Sequence, residues 1–179
     1  MTPWTCLAEF EVDLPRAEVQ AFARAQLGST LRRAGISAEF TLASALACWR
    51  KVQPEPTAPC LALIWASRTL TGTENAACLK ELLEARELPM PFQFISSQPS
   101  MAAVHAQILL PGLDHVTTLA HSPLGVEAHL LPILARRRAW THALVGEAWT
   151  PHPWQKDGVR FWAKWRVLAN DPSQEKHNR

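Results

Sequence analysis

The sequence has no tyrosine, only seven glycines and no marked excess of one charge. Most of these shortages remove a class of function. So few glycines leave no loop of the kind that cradles phosphate, and Thr71-Gly72-Thr73 is too short to serve as one. With 18 basic and 16 acidic side chains the formal charge is +2, which is no electrostatic footprint for nucleic acid. Cys6, Cys48, Cys60 and Cys78 show no C-x-x-C spacing, so neither a zinc site nor any other metal is expected. Their apolar neighbours suit small buried thiols. No apolar run approaches ~20 residues, so no membrane span is expected. The opening Met-Thr-Pro-Trp-Thr-Cys has no basic region followed by an apolar one, so a signal peptide is not expected and a reduced, cytoplasmic protein is. Eight tryptophans stand against the missing tyrosines, and the composition offers no physical reason for that imbalance.

What is present is a chain of 179 residues, 47% hydrophobic and 19% charged, which suits one domain with a core of its own. Trp4 to Leu14 alternates loosely, as a strand does. Pro15 fits the first position of a helix in which Val19, Phe22, Ala23, Gln26, Leu27 and Leu31 recur at three- and four-residue steps, with Gly35 as its stop. Leu42, Leu46 and Trp49 mark a second, short helix. Cys60–Ala66 is a continuous apolar run, the signature of a strand covered on both faces. A helix follows from about 74 to 87, with Ala77, Leu79, Leu82 and Leu83 as its inner side and Thr73 as its cap. A greasy helix over about 99–110, poor in charge, is expected inside the molecule. Then come a strand over 113–119, a helix over about 124–137, a strand over 141–146, and a half-exposed strand over 159–167. Alternating strands and helices predict an α/β layered sheet.

The junction Ala120-His121-Ser122-Pro123 joins a strand to a helix, the place where many enzymes hold a nucleophile. It lacks the G-x-S-x-G pattern of an elbow. Ser122 as N-cap with Pro123 at N1 is the plainer reading. His121 and Ser122 are adjacent, so in a strand they point to opposite faces and make a poor base–nucleophile pair. His105 reads as a satisfied interior histidine. Arg136-Arg137-Arg138 suits the C-terminal end of a helix. No H-E-x-x-H or paired-carboxylate signature occurs, and no cofactor is implied.

One pattern is more specific. The apolar strand at 60–66, the helix after it, PMPFQFISSQPSMAAVHAQIL, LPGLDHVTTLAHS, a further helix and THALVGEAWT together resemble the N-terminal half of a β-ketoacyl synthase of the thiolase fold. The likeness covers about residues 60 to 168. It is closest to the divergent ketosynthase-like proteins associated with aryl-polyene, pigment or fatty-acid-type pathways. Ser97–Ala103 stands for the start of that family's Asn-x-Ala-Ala-type helix. Gly112–Thr118 stands for the strand before the nucleophile, and Leu119-Ala120-His121-Ser122 stands where the Thr-Ala-Cys-x-Ser motif belongs. The chain departs from the family there, because no cysteine lies between Thr117 and Gly125. It also ends where the half that supplies the family's two histidines would begin, and the first 50 residues match poorly.

The resemblance implies an α/β, thiolase-like half. A layered βαβ sheet would carry helices on both faces, in a single domain. Residues 1–56 would be a helical extension packed on the core, 57–169 the ketosynthase-like half and 170–179 a loose tail. It implies a pseudo-β-ketoacyl synthase: a non-catalytic partner or scaffold, with Ala120, His121 and Ser122 as a degenerate nucleophile position. In that family the strand before the nucleophile pairs across the dimer axis. Carried over, this places Leu113, His115, Thr117 and Leu119 at a candidate interface. Trp149, Trp154, Trp162 and Trp165 are further candidates as aromatic anchors, with core filling as the rival role. The expected partner is a ketosynthase or a second copy of the chain, and an acyl carrier protein is a further candidate. The alternative is a small acyl transferase or hydrolase, or an acyl-carrier-binding protein, using the 120–123 junction.

Overall fold

The computed structural model describes residues 4–31, 34–52, 60–67, 72–85, 91, 95, 98–120, 131–135, 140–151 and 159–170. Alternation in the N-terminal segment becomes β1 (Trp4–Pro15), with Ala8, Phe10, Val12 and Leu14 turned to the core and Glu9, Glu11 and Asp13 exposed. Pro15 remains extended as the last residue of β1, and α1 (Arg16–Leu27) starts after it. Gly28, not Gly35, stops α1. It takes the left-handed conformation at φ 76° that a side chain disfavours, and its N–H closes on Arg24 O. Gly35 instead precedes α2 (Ile36–Trp49) and has no Cβ because the Glu74 side chain fills that space.

The second helix is longer and far more buried than its few leucines predict. Ser37, Ala38, Phe40 to Leu46, Cys48 and Trp49 are all buried. Small residues on its several sides let it lie between α1, the sheet and a later helix, α4 (Pro99–Leu109). The apolar run becomes β2 (Leu61–Ser67), buried at every position. α3 (Gly72–Lys80) then passes into a π-helical turn over Glu81–Ala85. Leu79, Leu82 and Leu83 face outward rather than inward, with Leu83 72% exposed. From α3, Glu74 reaches inward, and its carboxylate accepts the Ser37 N–H at 3.0 Å and so satisfies one orphan donor of α2.

Likewise α4 is only half inside. Ala102, Ala106 and Leu110 pack inward, whereas Val104 and Ile108 are exposed, Ile108 at 75%. The four-residue spacing of two alanines gives it one flat face toward α2. β3 (Leu113–Ala120), α5 (Leu131–Ala135), β4 (His142–Trp149) and β5 (Arg160–Asn170) complete the order. The remainder of the helix expected over 124–137, and the tail after Asn170, lie outside the described residues.

The five strands form one sheet in the order β1-β5-β4-β2-β3. β3, β2 and β4 are parallel, and β5 runs antiparallel to both β4 and β1. This is the layered α/β sheet expected, with helices on both faces. The strand expected over Trp4–Leu14 joins this sheet as β1, and the two helices expected after it follow as α1 and α2. One face carries the main core: Phe40, Leu42 and Leu46 of α2 against Leu61, Leu63, Leu144, Phe161, Trp165 and Val167. The other face carries a smaller cluster of Ala62, Ile64, Leu131, Trp140, Ala143, Val145 and Leu168. Among the cysteines only Cys48 is buried, and Cys6 is exposed.

Candidate functional site

β3 stands at the end of the sheet, with β2 on one side and no described strand on the other. Its pairing with β2 contains an irregularity that decides which side chains share a face. Leu61 pairs with Leu113, but Ala62 pairs with His115, so Asp114 is the extra residue of a bulge. The register then runs Ile64–Thr117, Ala66–Leu119 and Ser67–Ala120. His115, Thr117 and Leu119 therefore share the face of Ala62 and Ile64. Leu113, expected beside them, lies on the opposite face with Leu61 and Val116, packed against the main core.

The bulge is held from the β4 side. Trp140 is buried and donates its indole N–H to Asp114 Oδ2 at 3.0 Å. Its ring stacks on His115, with centroids 5.2 Å apart and planes 26° apart. His115 Nε2 lies 2.7 Å from Thr117 Oγ1, in a bond whose direction depends on the tautomer. Asn170 Nδ2 donates to Trp140 O, which ties the group to the end of β5. His115 and Thr117 are thus locked into a structural cluster. Trp140, which organises it, was not picked out from the sequence; its only local signal is its place between a basic run and a strand.

Ligands in open α/β sheets bind beyond the C-terminal ends of the parallel strands. Here those ends are Ser67, Ala120 and the last residues of β4. Ser67 and Thr150 are buried polar residues at this rim, and neither was singled out from the sequence. Ala120 ends β3 in register with Ser67; His121 and Ser122 lie outside the described residues, as does Trp154. Among the described residues no group of three or more His, Cys, Asp or Glu is placed to hold a metal. No described helix is long and apolar enough to cross a membrane.

The tryptophan candidates divide. Trp165 has no exposed surface. It packs on α2 and donates to Ser44 Oγ at 2.8 Å, so it fills the core and offers nothing to a partner. Trp162 is half-buried on the opposite face, edge-on to Trp149 at 5.3 Å. Both indoles are held by carboxylates, Trp149 by Glu147 and Trp162 by Glu11. Around them run cross-strand ion pairs of Asp13 with Arg160, Glu11 with Lys164 and Glu9 with Arg166, all about half exposed. Such pairs are worth about 0–1 kcal/mol each and describe a solvated surface. His105, expected to be satisfied, has a buried Nε2 without a hydrogen-bond partner among the described residues.

The two sheet edges differ in their treatment. Along β1, Lys51 Nζ donates to Glu9 O at 2.7 Å and the Cys48 thiol approaches Ala8 O. A lysine laid along an edge strand obstructs further pairing. β3, with the sequence Leu-Asp-His-Val-Thr-Thr-Leu-Ala, contains no lysine, arginine or proline.

No protein-family model matches the chain, and no curated protein matches it. Solved structures do. A chain of a ketosynthase (ApeO) in complex with its chain length factor (ApeC) from Xenorhabdus doucetiae superposes with a TM-score of 0.63 at 15% identity, over 96% of this chain and 80% of that one. The ishigamide ketosynthase/chain length factor superposes with a TM-score of 0.58 at 15% identity, over 95% of this chain and 62% of that one. At such identity the likeness is one of fold: the chain has the α/β, thiolase-like fold of ketosynthases and chain length factors.

Proposed function

We propose that the chain is a non-catalytic ketosynthase-like partner protein of a polyketide- or fatty-acid-type pathway, acting in the cytoplasm and docking on a ketosynthase along β3. The observation that carries this reading is the contrast between the sheet edges: β1 is crossed by Lys51, while β3, the last of the described strands on its side, carries no lysine, arginine or proline and has its one charged residue, Asp114, tied to Trp140. The structural neighbours support it, since they are ketosynthase and chain length factor chains. Where the resembled family keeps its nucleophile, the chain has Ala120, His121 and Ser122, and a thioester-forming condensation would have no sulfur there.

On this reading His115, Thr117 and Leu119 set the shape of the docking edge from one face and Leu113 from the other. Trp140 holds the bulged Asp114 through its indole N–H. Trp162 belongs to a separate surface. The partner is a ketosynthase rather than a second copy of the chain. Homodimerisation and recognition of an acyl carrier protein are outcomes of the same test.

The test mixes the chain with a ketosynthase encoded beside its gene and measures molar mass by light scattering. A one-to-one complex that Thr117→Lys weakens at least tenfold, with circular dichroism unchanged, is the expected result. A monomer that ignores the ketosynthase would end the proposal. Incubation with acyl thioesters addresses the enzymatic alternative. Stable acylation lost in Ser122→Ala would show that the junction carries chemistry.

A further inference from the structure

Cys6 and Cys48 are 42 positions apart in sequence and belong to different layers, one to β1 and the other to α2. The fold brings both sulfurs to one atom. Cys6 Sγ lies 3.6 Å from Ala8 O, and Cys48 Sγ lies 3.9 Å from the same oxygen. The strand is irregular here, with its register to β5 shifting between Cys6 and Ala8. Among the described strands β1 also stands at the edge of the sheet, next to β5 alone. A bulged edge can move to close a short gap without repacking the core.

The two thiols are unequal. Cys6 is exposed and Cys48 is wholly buried. Cys60, just before β2, and Cys78, on α3, are half-buried and lie elsewhere in the chain. We propose that Cys6 and Cys48 form an oxidisable dithiol, in which a hydroperoxide reacts at Cys6 and Cys48 closes the product to a disulfide.

The chemistry balances. The Cys6 thiolate attacks one peroxide oxygen, the O–O bond breaks, and Cys6 sulfenic acid and hydroxide (or alkoxide) result. The Cys48 sulfur then attacks the Cys6 sulfur, the S–O bond breaks, and the departing hydroxide takes the Cys48 proton as water. The peroxide gains two electrons, and the two sulfurs together lose two.

The surroundings of Cys48 set the order of events. Burial pushes its thiol up to about 12, against the lowering effect of the Lys51 ammonium, with Cys6 and Glu9 adding to the rise. Cys48 is therefore a poor first target and a slow second reactant near neutral pH. Cys6 sulfenic acid forms first and persists long enough to be trapped, and closure quickens as the solution is made alkaline. The closed bond would tie the start of β1 to the end of α2 across a long loop, and so raise thermal stability.

Treatment of the native full-length chain with hydrogen peroxide, followed by alkylation, intact mass and peptide mapping, tests this. Dimedone labelling of Cys6 at early times is expected. Later the chain loses two hydrogens and yields one linked peptide pair containing Cys6 and Cys48. The melting temperature rises by several degrees and returns on reduction. In Cys48→Ser the sulfenic acid accumulates, and in Cys6→Ser Cys48 remains a thiol. Over-oxidation of Cys6 with Cys48 still alkylatable, a link through Cys60 or Cys78, or a Cys6–Cys6 bond between chains would overturn the proposal. Mapping of the unmutated chain decides the matter even if a serine variant fails to fold.

Discussion

Trp165 of β5 donates its indole N–H to Ser44 Oγ of α2 at 2.8 Å, and Ser44 in turn donates to Thr41 O at 2.9 Å. Both residues are fully buried. The chain of two bonds joins the sheet to its central helix where no water replaces a lost partner. Ser44→Ala leaves the indole N–H orphaned and is expected to cost about 1–3 kcal/mol. Trp165→Phe removes donor and excess volume together but leaves the hydroxyl its bond to Thr41. Trp165→Ala opens a cavity and is expected to cost about 3–5 kcal/mol. Urea denaturation of the three variants checks the ranking; an unchanged midpoint for Ser44→Ala would show that the bond does not form.

Gly146 lies opposite Trp165 in the β4–β5 register. A Cβ at this position would collide with the Lys164 carbonyl and the Trp165 indole. One obstacle is backbone and the other is the largest buried side chain nearby, so neither yields cheaply. Gly146→Ala is expected to destabilise by more than the ~1–3 kcal/mol of ordinary overpacking, and Gly146→Val to prevent folding. Thermal melts followed by near-ultraviolet dichroism of the tryptophans would report both.

Much of this fold was legible because the strands are compositionally plain. Cys60–Ala66 announced a strand buried on both faces, and β2 is buried along its whole length. The helices were harder, for physical reasons. α2 is apolar nearly all round, so it has no stripe whose period reveals its length, and only Leu42, Leu46 and Trp49 stood out. α3 has a stripe in Leu79, Leu82 and Leu83, but it turns them to the surface and uses Glu74 inward. At the candidate edge, the resemblance to the ketosynthase strand put Leu113 with His115, Thr117 and Leu119. A bulge costs one residue of phase and leaves no mark in composition, so Leu113 changed face unannounced. Trp165 and Trp162 look alike in sequence, and their separation into core and surface required the sheet.

Burial lowers the pKa of His142 from its ordinary 6.5. The ring meets Trp49 edge-on at 5.7 Å and its Nδ1 lies 3.0 Å from Thr141 Oγ1. The native state thus resists a proton that the unfolded chain accepts. Its contribution to stability is complete above the unfolded value and declines as pH falls below it. Between about pH 7 and 5.5 the denaturation midpoint should fall less in His142→Gln than in the unmutated chain. Parallel slopes for the two would assign the acid loss in that window to other groups.

Lys51 lies 5.2 Å above the Phe10 ring while its ammonium holds Glu9 O at 2.7 Å. One side chain thus crosses the β1 edge and covers an aromatic of the same strand. The cation–aromatic contact is worth about 0.5–1 kcal/mol at an exposed site, so Lys51→Ala should alter global stability little. Its larger effect is expected on association, because an uncovered edge presents backbone groups to another strand. Sedimentation velocity across a range of concentrations should show Lys51→Ala self-associating where the unmutated chain does not, and Lys51→Arg behaving as the unmutated chain. If Lys51→Ala sediments unchanged at every concentration, the β1 edge is closed by other means. The contrast with β3 on which the docking proposal rests would then lose its force.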